Sequence, residues 1–157
     1  MTTLKTSIKS TKTRLANFQW HNYFGNSVPK QTAMTERTIL LIEEDESVSR
    51  DITLILKNEG FNVIIASDYN SSLAIIERIA VDLVITDEVQ PHADGFGIVE
   101  YIKHYSSIPV IQLTDGKKIE FPFSVKPDAL VSKPVDPDKL ILLISSCFTH
   151  RHIRQVG

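Results

Sequence analysis

Five side chains in this sequence carry the chemistry needed to handle a phosphoryl group, and each stands at or within two residues of the end of a short apolar run. Asp87 closes Val81-Asp82-Leu83-Val84-Ile85-Thr86, Glu43 and Glu44 follow Thr38-Ile39-Leu40-Leu41-Ile42, Thr114 follows Ile108 to Leu113, and Lys133 follows Ala129-Leu130-Val131. Singly, each has an ordinary explanation: acids before a helix complement its dipole, a Thr often ends a strand, and Lys-Pro makes a turn. Brought together they have a different one. Clustered carboxylates repel unless a hard cation sits among them, and Mg²⁺ accepts such oxygen ligands while keeping several waters. An ammonium and a hydroxyl beside that cation would stabilise the equatorial oxygens of a transferring phosphoryl group, with Asp87 as in-line nucleophile.

The elements that would gather these residues are legible in the hydrophobic pattern. From Thr38 onward, short apolar runs alternate with helical periodicity, the pattern of repeated βα units around a parallel sheet. Strands without apolar/polar alternation are covered on both faces, and ligands of such sheets sit beyond the carboxyl ends of the strands. The remaining strand is Asn62 to Ala66. Helices are expected from about Ser47 with Gly60 as stop, from about Asn70 to Ala80, after Asp94-Gly95, and from an Asp136 N-cap with Pro137 in its first turn, ending near Phe148. The inward residues should be Val48, Ile52, Ile55 and Leu56; Leu73, Ile76 and Ala80; Ile98, Val99 and Ile102; and Leu140, Leu143, Ile144 and Cys147.

The chain of 157 residues has room for one such domain and an extension. Residues 1–37 lack the apolar density of a core and hold an aromatic group, Phe18, Trp20, Tyr23 and Phe24. Residues 1–35 carry five of the 17 basic residues and none of the 19 acidic ones, so +5 there leaves −7 for the remainder. A basic arm for nucleic acid or an acidic partner, a leader that imitates an organelle transit peptide, and a poorly ordered extension all fit that composition. The acidic remainder argues against nucleic-acid binding by the domain itself. A single cysteine, Cys147, and the absence of a signal-peptide core or an apolar run of about 18 residues point to a reducing, cytoplasmic setting with no membrane insertion. His150 to Arg154 reads as a frayed helix end rather than a metal site. The expected division is an extension over 1–37, a domain over 38–148 and a tail over 149–157.

With the acidic pair after strand one, the Asp-x-x-x-Pro-x-x-Asp-Gly pattern from Asp87 through Pro91 to Asp94 and Gly95, Leu113-Thr114, and Lys133-Pro134 in this order, the stretch from Thr38 to about Phe148 resembles a response-regulator receiver domain of two-component signal transduction. The resemblance implies an α/β fold, a doubly wound, flavodoxin-like sheet of five parallel strands in the order 2-1-3-4-5. It implies that Asp87 accepts a phosphoryl group from a sensor histidine kinase or a histidine phosphotransfer protein. Mg²⁺ would be held by Glu44 and Asp87, by Glu43 through water, and by the backbone carbonyl of Val89. Thr114 and Lys133 would contact the acyl phosphate, and Lys133-Pro134 would be cis. The output would pass to an unidentified downstream protein through protein–protein contact, from a stand-alone receiver that assists its own phosphorylation and dephosphorylation without being an enzyme for other substrates.

Several positions depart from the family pattern. Both acids are Glu, about 1.5 Å longer than Asp; Asp115 adds a charge after Thr114; and Leu130 stands where an aromatic is usual. Pro122, Pro127 and Gly116 oppose the helix that a receiver places between strands four and five, so that helix is expected to be reduced or missing. Two rival readings follow. One is a degenerate receiver acting as a phosphorylation-independent interaction module. The other is a haloacid-dehalogenase-like, Mg-dependent phosphohydrolase, disfavoured because Val89 occupies the place of that class's second Asp. A dinucleotide-binding domain lacks its Gly-x-Gly-x-x-Gly after strand one.

Overall fold

Apolar β-branched runs form the centre of the chain in a computed structural model, which describes residues 37–87, 97–116 and 125–155, with side chains as far as His150. The described residues give five strands and four helices. Strand β1 (Thr38–Ile42) leads to α1 (Glu46–Asn58), β2 (Asn62–Ala66), α2 (Tyr69–Ile76), β3 (Leu83–Thr86), α3 (Ile98–Tyr105), β4 (Val110–Thr114), β5 (Ala129–Ser132) and α4 (Pro137–Gln155). All four strand pairings are parallel and the order is β2-β1-β3-β4-β5. This is the doubly wound, flavodoxin-like sheet that the resemblance implied.

Three of the strands, β1, β3 and β4, lie between others and are almost wholly buried, which is why their sequences lack alternation. Successive side chains point to opposite faces. Leu40, Ile42, Val84 and Val110 on one face form a cluster with Tyr69 of α2 and Ile98, Val99 and Ile102 of α3. Residues of the other parity, such as Ile39, Leu41, Ile85, Ile111, Leu113 and Val131, are equally buried.

Capping follows the side-chain chemistry. Asp45 opens α1, its Oδ1 accepting from Ser47 N at 2.8 Å and Val48 N at 3.2 Å. The helix is closed by Gly60 at φ 90°, where a side chain would be strained, with Phe61 N donating back to Leu56 O at 3.2 Å. Asp136 caps α4, accepting from Lys139 N at 2.8 Å, and Pro137 is its first residue, as expected.

Two carboxylates fasten the entry edge of the sheet in the same way. Asp82 N donates to Thr38 O at 2.8 Å while Thr38 N donates to Asp82 Oδ2 at 2.8 Å. Asp128 N donates to Val110 O at 2.8 Å while Val110 N donates to Asp128 Oδ2 at 2.7 Å, and Lys103 of α3 forms an ion pair with that same oxygen. Each Asp thus closes a ring with the first residue of a neighbouring strand.

Three expectations are corrected. Helix α2 stops at Ile76 rather than Ala80, and Ala80 is exposed, because the chain must extend through Val81 to bring Asp82 onto Thr38. Helix α4 continues to Gln155 instead of ending near Phe148, so residues 149–155 are helical. No Gly or Pro interrupts it there, and Thr149 Oγ1 donates to Ser145 O at 2.9 Å. Its inward face is Leu140, Ile141, Ile144, Ser145 and Phe148, while Leu143 and Cys147 are half-buried. The expectation about a reduced helix between β4 and β5 falls mainly on residues 117–124, outside the described residues. The described flanks, Asp115–Gly116 and Val125–Asp128, are not helical.

Burial pushes the Cys147 thiol up to about 11, and the charge of Asp128 adds to the shift. Almost no thiolate exists at pH 8, so alkylation by iodoacetamide is expected to be on the order of 100-fold slower than for free cysteine, measurable by mass spectrometry on the folded chain.

Candidate phosphoryl-transfer site

The sheet hydrogen-bond ladder continues one residue beyond the strand ends, and it fixes the backbone of the candidate residues. Glu43 N donates to Ala66 O at 3.1 Å, Asp87 N to Ile42 O at 3.0 Å, and Lys133 N to Thr114 O at 2.7 Å. Glu43, Asp87, Thr114 and Lys133 therefore share the carboxyl-terminal rim, where ligands of such sheets bind.

Three of the side chains meet directly. Lys133 Nζ donates to Asp87 Oδ2 at 2.6 Å and lies 3.0 Å from Glu43 Oε2. The Glu43 side chain is only 2% exposed, against 32% for Asp87. Its Oε1 accepts from Asp45 N at 2.9 Å, while Oε2 is buried with the ammonium contact but no well-directed hydrogen bond. Glu44 is exposed on the bend before α1. Thr114, almost buried, accepts from Gly116 N through Oγ1 at 3.3 Å, in a turn that Gly116 enters at φ 76°. The Lys133–Pro134 bond is cis.

For Lys133, burial alone would lower the pKa. The hydrogen bond to Asp87, the close contact with Glu43 and the charges of both outweigh it and raise the pKa above the ordinary 10.5. A cation favoured by the fold stabilises it at pH below the unfolded value and ceases to do so as pH rises through the folded one. The stability difference between wild type and Lys133→Met, from urea titrations, is accordingly expected to hold through neutral pH and to shrink only above about pH 10.5.

Val89, whose carbonyl was expected at the metal, lies outside the described residues. Among those described, no group of three or more acidic, His or Cys side chains is gathered closely enough to hold a metal by itself. The carboxylates of Glu43 and Asp87 on this rim offer oxygen, the ligand a hard cation takes, and the exposed Glu44 is next to Glu43 in the chain. Leu130, at the position that is usually aromatic, is 46% exposed on β5.

Sequence reasoning missed two features near the site. Asp45, the acid that directly follows Glu43 and Glu44 in the chain, caps α1. Gln112, two residues before Thr114 on β4 and opposite Thr86 on β3, is 2% exposed, with its Oε1 lacking any hydrogen bond among the described residues. Nothing in the apolar pattern around Gln112 signals that its carbonyl is unpaired.

Comparison with known proteins agrees with this geometry. Regulatory protein VanRc of Enterococcus gallinarum is 32% identical over 117 residues, 72% of this chain and 50% of that protein. DNA-binding response regulator MtrA of Mycolicibacterium smegmatis is 26% identical over 106 residues, 66% of this chain and 46% of its own length. The chain thus spans about half the length of these curated relatives. Among solved structures, the receiver domain of the Francisella response regulator 1452 matches with a TM-score of 0.63 and 21% identity, over 73% of this chain and 98% of that one. Chemotaxis response regulator CheY4 of Vibrio cholerae matches with a TM-score of 0.60 and 21% identity, over 72% and 99%. Residues 39–145 match the family model of the response regulator receiver domain, and the chain belongs to that family.

Proposed function

We propose that Asp87 is the phosphoacceptor, taking a phosphoryl group from a phosphohistidine on a sensor histidine kinase or phosphotransfer protein. The observation that carries this reading is the 2.6 Å contact of Lys133 with Asp87 at the carboxyl-terminal rim, beside the buried Glu43. In the transfer, an Asp87 carboxylate oxygen forms the new bond to phosphorus as the bond to the donor imidazole nitrogen breaks, and the imidazole leaves with that electron pair. Lys133 offsets the charge on the phosphoryl oxygens, and Thr114, whose strand end is tied to Lys133 by the backbone, is placed to donate its hydroxyl to one of them. Glu43, Glu44, Asp87 and the Val89 carbonyl are the oxygens that would hold Mg²⁺, which when bound supplies further charge compensation.

Residues 38–155 would act as the receiver, in a cytoplasmic setting, passing the signal on by protein–protein contact rather than by binding nucleic acid, in keeping with the −7 charge outside residues 1–35. No helix among the described residues is long and apolar enough to cross a membrane. The test is intact-mass measurement after incubation with Mg²⁺ and acetyl phosphate: one added phosphoryl group is expected, and none when EDTA is in excess. A chain that stays unlabelled under both conditions, and with a phosphorylated histidine donor, would instead support the phosphorylation-independent interaction module that Leu130 and the paired glutamates favour.

A further inference from the structure

The sheet of described strands ends on one side at β2, and that edge lacks the usual guards against pairing. Soluble proteins keep edge strands apart with charge, Pro or a bulge. Strand β2 reads Asn-Val-Ile-Ile-Ala, and from Gly60 to Ser67 no side chain is charged and none is Pro. Its register with β1 runs unbroken from Asn62 to Ala66, so no bulge turns it aside. Ile65 is 50% exposed, and Val63 and Ile64 are half-buried. The β1 ladder shows which backbone groups are left over. Asn62 N donates to Arg37 O at 3.0 Å and Glu43 N donates to Ala66 O at 3.1 Å, so Asn62, Ile64 and Ala66 turn their amides and carbonyls toward β1. Val63 and Ile65 turn theirs outward, where no described strand lies.

We propose that this edge is a self-association surface, on which β2 of a second copy of the chain pairs antiparallel about a two-fold axis through Ile64. The occupant follows from the symmetry of the strand itself. With the axis at Ile64, Val63 of each copy stands opposite Ile65 of the other, and each such pair exchanges two N–H···O bonds. The outward amides and carbonyls of Val63 and Ile65 are then all satisfied in both copies. A register shifted by one residue would set them against groups that point away. The side chains agree with this register: Val63 beside Ile65 of the second copy, and Ile64 opposite its own equivalent, are apolar β-branched pairs of the kind that stabilise cross-strand contact. No charge has to be desolvated between Gly60 and Ser67. Five residues span about 17 Å and a sheet is about 10 Å deep with its side chains, so the strip falls short of the roughly 1,200 Å² of a standard stable interface. The dimer is therefore weak and forms as concentration rises. It lies at the opposite edge of the sheet from β5 and uses no rim residue, so it is independent of whether Asp87 is phosphorylated.

The test follows the full chain by sedimentation velocity and by amide hydrogen exchange from about 5 µM to about 500 µM, a range suited to a weak interface. Three variants accompany it, each confirmed as folded by its amide spectrum. Val63→Pro removes an outward donor and no bond to β1. Ile65→Lys brings like charges together across the axis. Leu130→Lys, on β5, is the control at the other edge. The apparent mass is expected to move from monomer toward dimer over this range. Exchange of the Val63 and Ile65 amides should slow at least about fivefold with concentration, while the Ile64 amide, bonded to β1, is protected throughout. Both β2 variants should raise the dissociation constant at least about tenfold, and Leu130→Lys should change it less than about twofold. If Val63→Pro does not fold, Ile65→Lys carries the comparison. A chain that stays monomeric at the highest concentration, or a dimer indifferent to the folded β2 variants, would overturn the proposal. So would Val63 and Ile65 amides protected equally at both ends of the range, since the edge would then be covered within one chain.

Discussion

Asp87→Asn is expected to take up no phosphoryl group from acetyl phosphate under conditions that label the wild type fully, as read by intact mass. Asparagine keeps the side-chain shape and can still accept from Lys133 Nζ, so the sheet and its rim should persist. It removes the negative charge and the nucleophilic oxygen, and a neutral amide cannot form the acyl phosphate. The 2.6 Å contact between Lys133 and Asp87 and the exposure of Asp87 both put its carboxylate at the open rim. Labelling of the folded Asp87→Asn chain at the wild-type rate would show that another residue is the acceptor and would remove the basis of the functional reading.

The largest loss of stability is expected from Asp128→Ala, far from that chemistry. Its carboxylate is the acceptor for Val110 N, on a residue with no exposed surface, and the same oxygen pairs with Lys103. Truncation leaves a buried N–H without a partner, at a cost of about 1–3 kcal/mol. The ion pair, which lies partly in solvent, adds well under about 1 kcal/mol after screening. A total near 2–3 kcal/mol corresponds to a fall in melting temperature on the order of 10 °C for a domain of this size. Lys103→Ala, losing only the ion pair, should fall by a few degrees at most. Equal losses in the two variants would mean that the ion pair, not the backbone acceptor, carries the effect.

How much was legible depends on the kind of signal. β1 and β2 are bounded in the structure as the sequence indicated, because each is an uninterrupted apolar run with a sharp polar boundary. Strand β3 is shorter at both ends, since Val81 and Asp82 look like strand by hydrophobicity but serve to bring the Asp82 carboxylate to Thr38. Helix faces were less faithfully marked. Ser49 and Ser72 are buried while Ile55 is only half-buried; Ser72 is accommodated because its hydroxyl donates to Asp68 O at 2.6 Å and to Tyr69 O at 3.0 Å, so hydrogen bonding overrides hydropathy.

For the site, strand ends were enough to bring Glu43, Asp87, Thr114 and Lys133 to one rim, because parallel topology leaves their backbones little choice. Side-chain roles were not. Nothing in the run Glu43-Glu44-Asp45 distinguishes the acid that turns inward, the one that stays in solvent and the one that caps a helix. Those differences arise from a single backbone bend, which the three chemically similar residues cannot encode by type.

Gln112 adds a last consequence. A glutamine in a strand paired on both sides, whose carbonyl meets no partner among the described residues, is a local conflict between the sequence and the packing of those residues. Left so, that oxygen costs the folded state about 1–3 kcal/mol, while the unfolded chain can hydrate it. The energy surface beneath the rim is therefore less smoothly funnelled than the apolar rows around it, and the frustration lies on the strand that ends in Thr114.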